Sequence, residues 1–166
     1  EMEDLIDGGK VAKSNDAIEW GSGSTDANPS GGRYAQIALK QSGNYVTCSL
    51  DNIPSNGLYR VTMAVKGNEN SATVALAKDY ANDQENIGPR LVANALAFQL
   101  NSFSADVPKV TGEFELHAGT DTIDLVGLNN CDKNIRPDYI EIQKIAGNSI
   151  RTDASVANAA GRVTAD

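Results

Sequence analysis

Polar and apolar residues alternate along this chain with a period of two, and clusters of Gly, Asn, Asp, Ser and Pro break the alternation about every 8 to 15 residues. Successive side chains of a strand point to opposite faces, so the pattern gives each strand one buried and one wet face. Tyr59, Val61, Met63 and Val65 share one face; Phe114, Leu116 and Ala118 share another; Ile140 and Ile142 share a third. Strands are expected at 44–50, 58–66, 71–78, 93–100, 110–118, 121–127 and 138–145, with turns at 54–57 and 118–121. No long stretch keeps a helical period. The expected fold is all-β, an antiparallel β-sandwich over 1–147, followed by a linker or tail at 148–166. Its long irregular stretches, 20–33, 79–92 and 128–137, are where such a scaffold carries binding residues.

Composition narrows the function. The formal charge of −8 argues against a nucleic-acid partner, which needs clustered Lys and Arg. No run reaches the roughly 18 apolar residues of a membrane helix. The single histidine, His117, falls on the polar parity of its strand, and one histidine is too few for a His-based zinc site. No serine lies in a nucleophile-elbow motif, so catalysis is not expected. Cys48 shares parity with Val46 and Leu50 and reads as a buried thiol, with a disulfide to Cys131 as the alternative in an oxidising compartment.

Three acids stand out by position. Read as a first strand, Glu1 and Glu3 share parity with Leu5, and Asp138 shares parity with Ile140 and Ile142. No Lys or Arg is expected on that parity near the start of either strand. A carboxylate at the edge of a core needs a partner. Either a hard cation joins these acids, or they sit in water at frayed strand ends.

Five motifs in order give the chain a family resemblance. They are Glu1-Met2-Glu3-Asp4, Ser30-Gly31-Gly32-Arg33-Tyr34, the strand at 44–47 with the turn and strand at 53–59, the hairpin at 114–123, and Asp138-Tyr139-Ile140-Glu141-Ile142. Together they resemble carbohydrate-binding modules of families 6 and 35, jelly-roll sandwiches appended to secreted polysaccharide-degrading enzymes. The resemblance implies a non-catalytic module that binds a polysaccharide or oligosaccharide beside a covalently linked catalytic domain, secreted or on the surface of a bacterial cell. It also implies a structural calcium held by Glu1, Glu3, the carbonyl of Arg33, and Asp138. The alternative class is a sandwich used for adhesion or as a spacer.

The sugar site implied by the resemblance lies in the loops. Where the family commonly has Asn two residues before the closing Asp, this chain has Arg136, with Asn134 two residues earlier. Arg136 is either an exposed loop charge or a bidentate partner for an acidic sugar. Trp20, the only tryptophan, is either a sugar platform or a core residue ending a strand. Phe103 and Tyr80 are the other aromatic candidates, and each is alternatively a packing residue. Asn129, Asn130 and Asp132 are further loop groups able to hydrogen-bond.

Overall fold

The computed structural model describes residues 1–23, 34–66, 72–93, 108–132 and 134–146. Among these residues a short helix, α1 (Met2–Asp7), precedes ten strands: β1 (Val11–Lys13), β2 (Trp20–Gly23), β3 (Tyr34–Ile37), β4 (Tyr45–Ile53), β5 (Gly57–Lys66), β6 (Ala72–Ala77), β7 (Leu91–Ala93), β8 (Lys109–Leu116), β9 (Gly119–Gly127) and β10 (Arg136–Ala146). One sheet has the order β1-β4-β9-β6-β7, a second the order β10-β5-β8, and β2 and β3 form a separate ribbon. Each of these neighbouring pairs is antiparallel. This is the expected antiparallel jelly-roll sandwich.

The alternation read from the sequence decides what lies between the sheets. Val46, Cys48, Leu50, Val74, Leu76, Ile123 and Leu125 face inward from the five-stranded sheet. Tyr59, Val61, Met63, Val65, Val110, Phe114 and Leu116 meet them from the other. Gly112 carries no side chain because the Phe114 ring lies over it, where a Cβ would come within 2.5 Å of the ring. Ala118 does not join this face: it is exposed in the turn before β9, where Gly119 takes φ of 91°, a left-handed value suited to glycine. Cys48 and Cys131 are both buried and are not joined to each other, so the structure has the buried thiol and not the disulfide alternative.

The N-terminus corrects the expectation. MEDLID is helical, not extended, so strand parity is the wrong rule for Glu1, Glu3 and Leu5. Burial of Met2 and Glu3 in its first turn, with the Met2 sulfur 4.0 Å from Cys48 Sγ, docks the helix on the core. Trp20 likewise begins a strand and not an irregular stretch. The expected strand at 93–100 begins inside β7, while 94–100 and the tail at 148–166 lie outside the described residues.

At one end, Asp121 ties β9 to β6 and β8. Its carboxylate pairs with the Lys78 ammonium and accepts hydrogen bonds from the His117 and Thr122 backbone N–H groups, each at 2.8 Å. Burial alone would raise the Asp121 pKa, but the Lys78 ammonium, these N–H donors and the His117 ring outweigh it and hold the carboxyl at about 2. A carboxyl depressed in the folded state stabilises the fold above its unfolded pKa and stops doing so as pH falls to the folded one. Asp121 therefore contributes on the order of 2 kcal/mol at neutral pH, lost between about pH 4 and pH 2. In urea melts, Asp121→Asn should lower stability at pH 6 and shrink the loss between pH 4 and pH 2. An unchanged acid limb would remove Asp121 as a cause of that loss.

Candidate functional site

Two groups of sequence-flagged residues converge. The first is acidic: ligand atoms of Glu1, Glu3 and Asp138 lie within 4.8 Å of one another. Glu1 is exposed, whereas Glu3 and Asp138 are 2% and 0% exposed. The α1 packing that buries Met2 carries Glu3 inward with it. Asp138 arrives by a different device: the register of β10 against β5 slips between Pro137 and Ile140, and such a bulge re-aims a side chain.

Glu3 Oε2 is buried without a hydrogen-bond partner among the described residues. Burial pushes the Glu3 pKa up, and repulsion from Glu1 and Asp4 adds to that. Carboxylates this close repel unless a proton or a cation lies between them. An all-oxygen donor set suits a hard ion of the calcium type. Arg33, whose carbonyl was expected to complete the set, lies outside the described residues.

Cations do stand near Asp138, against expectation. Arg136 is on the same strand parity and is in register with Lys66, which is 1% exposed. Burial pushes the Lys66 pKa down and the Arg136 charge adds to it, while the Asp138 carboxylate opposes both. Nothing in the alternation of β5 announced a buried lysine at its end; the closing pair with Arg136 appears only once the strands are aligned. Arg136 is half-buried with an inaccessible Nε, so it is not an exposed loop charge.

The second group surrounds a cavity of about 240 Å³ lined by Glu19, Trp20, Gly21, Gln36 and Asn134. Strand pairing builds it. Gly21 lies opposite Gln36 in the β2–β3 ribbon. Ile37 and Ile135 exchange backbone hydrogen bonds of 2.9 Å in both directions, which brings Asn134 beside the ribbon. Trp20 is half-buried against the core, and Lys13 Nζ lies 4.5 Å from its ring centroid. Trp20 therefore packs on the core, as one alternative had it, and also lines a cavity. Glu19 and Gln36 were not singled out by sequence, since they become neighbours of Trp20 and Asn134 only through the ribbon register.

The other candidates lie elsewhere. Tyr80 packs edge-on against Tyr45 at 5.5 Å, its N–H donating to Asp124, and does not line the cavity. Asn129 accepts from the Thr73 N–H of β6 and Asn130 from the Ser42 N–H in the turn before β4, so both tie their loop to the scaffold. Phe103 lies outside the described residues. A larger cleft of about 670 Å³, lined by Lys78, Asp79, Asp83, Glu113, His117 and Asp121 among others, opens beside β8 over the Asp121 network.

No family model matches the sequence, and no curated protein matches it. Solved structures do match by shape. A family 22 xylan-binding domain from Paenibacillus barcinonensis superposes with a TM-score of 0.54 at 11% identity, over 81% of this chain and 85% of that one. A family 35 carbohydrate-binding module from Clostridium thermocellum gives 0.52 at 14% identity, over 81% and 98%. The joined family 22 module and catalytic module of a Clostridium thermocellum endo-1,4-β-D-xylanase, complexed with xylohexaose, gives 0.52 at 13% identity over 81% of this chain. The chain spans 26% of that xylanase chain. It has the fold of the carbohydrate-binding modules. Among the described residues no helix is long and apolar enough to cross a membrane.

Proposed function

We propose that the chain is a non-catalytic carbohydrate-binding module that holds a secreted polysaccharide-degrading enzyme near its glycan and carries a structural calcium ion. One observation supports the sugar site above the others: Trp20, Glu19, Gln36 and Asn134 border a single cavity. An indole offers apolar surface to the C–H groups of a sugar ring, while a carboxylate and two amides can bind its hydroxyls. Tethering such a site to an enzyme raises the local concentration of substrate without any chemistry in the module.

Calcium fits the acidic cluster, with Glu1, Glu3 and Asp138 as its side-chain ligands. Its orphaned buried oxygen on Glu3 supports this reading. The ion would neutralise the carboxylates and fasten α1 to β10; it takes no part in sugar chemistry.

A glycan-array screen of the folded chain with calcium present tests the module reading. Binding to at least one polysaccharide class is expected, and Trp20→Ala should weaken it by about 100-fold, the loss of ~2.7 kcal/mol. A folded chain silent across the panel would overturn the reading and favour an adhesion or spacer role.

A further inference from the structure

We infer, on the premise that the Trp20 cavity is the sugar site, that this cavity takes a neutral glycan and discriminates against uronic acids. Among the described residues its lining contains one charged side chain, the acid Glu19. Gln36 and Asn134 add neutral amides, and among the described residues no cation lines the cavity, Arg33 and Lys133 lying outside them. A carboxylate can accept from two neighbouring hydroxyls of a neutral sugar, and hydrogen bonds to a charged acceptor are the stronger kind. A uronate carboxylate brought to the same place would meet Glu19 as a like charge and give up its own hydration.

Arg136, the candidate partner for an acidic sugar, stands elsewhere. Arg136 lies in register with Lys66 two residues before Asp138, with its Nε buried, and is absent from the cavity lining. Lys13 is the cation nearest Trp20, but its ammonium sits over the indole ring and does not line the cavity. The net charge of −8 adds a weak, salt-screened bias in the same direction.

Calorimetric titration of the whole chain compares neutral probes (xylohexaose, cellohexaose and β-1,4-galactotriose) with trigalacturonate and an aldobiouronic acid, at low and high salt. The tightest neutral probe should bind at least about tenfold more strongly than either uronate, a difference of ~1.4 kcal/mol. Glu19→Gln should narrow that ratio, and Trp20→Ala should weaken the neutral binding by about 100-fold. Because Trp20 also packs on the core, Asn134→Ala serves as a second site variant, with unchanged melting as the check on folding.

Uronate binding equal to or tighter than neutral binding, and lost in Trp20→Ala, would overturn the inference while leaving the sugar site in place. If that binding also vanished in Lys13→Gln, Lys13 would be the anion receptor. Neutral binding that survives both Trp20→Ala and Asn134→Ala would overturn the site itself. Absence of binding to every probe would overturn the sugar reading along with the inference.

Discussion

If the acidic cluster holds calcium as proposed, chelation should lower the melting temperature of this chain by about 10 °C, and excess calcium should restore it. The size follows from linkage: an ion that binds only the folded state at a thousand times its Kd stabilises by ~4 kcal/mol. A chain of this length shifts by about 2–4 °C per kcal/mol. Folded without the ion, the protein must bury Glu3 and Asp138 within 4.8 Å of Glu1. Glu3 responds with a pKa pushed up by burial and by its acidic neighbours. A carboxyl raised on folding favours the folded state at low pH and opposes it as pH climbs from its usual value through the raised one. The calcium-free protein should therefore gain stability on mild acidification, opposite in sign to the Asp121 contribution.

Glu3→Gln separates the terms. It removes the buried charge, so the variant should melt higher than the unsubstituted chain in chelator and respond little to calcium. Asp138→Asn should also lose the calcium response, measured by differential scanning calorimetry with and without the ion. A melt that ignores both chelator and calcium in the unsubstituted chain would overturn the calcium site, and Lys66 with Arg136 would then be the compensating charges.

Legibility in the sequence followed the range of the forces involved. Alternation is local, so the inward faces of β4, β5, β8 and β9 could be read from residues such as Tyr59, Val61 and Phe114. The helix α1 was not legible: six residues are too few for a helical period, and MEDLID is held by docking of Met2 on Cys48, a contact across 46 positions. The acids were found by the right physical question, who pairs a buried carboxylate, through a wrong geometry, a strand parity. Asp138 reaches the cluster through a bulge that alternation cannot register. The short strands β1, β2 and β3 are three or four residues each and exist by pairing, so the Glu19–Gln36–Asn134 surround of Trp20 had no local signal. The buried Lys66 is hidden for the same reason.

Leu76→Ala is the second large effect, and its value lies in what it should leave alone. Leu76 is fully buried on β6, opposite Leu125 on β9, with its carbonyl accepting from the Gly88 N–H at 2.8 Å. Removing its three outer carbons leaves a cavity between rigid strands, which costs about 3 kcal/mol, or roughly 9 °C at this chain length. Strand β9 lies between β6 and β4, so Leu76 is about 9–10 Å from the strand that α1 docks upon. Sites that far apart without shared partners add. The Leu76→Ala loss should thus be the same in calcium and in chelator. Met2→Ala, in contrast, loosens the helix that carries Glu3, so its loss should be larger with calcium than without. Equal calcium dependence in the two variants would mean that the ion braces the whole sandwich and not the α1–β10 junction, and would overturn the local account of the site.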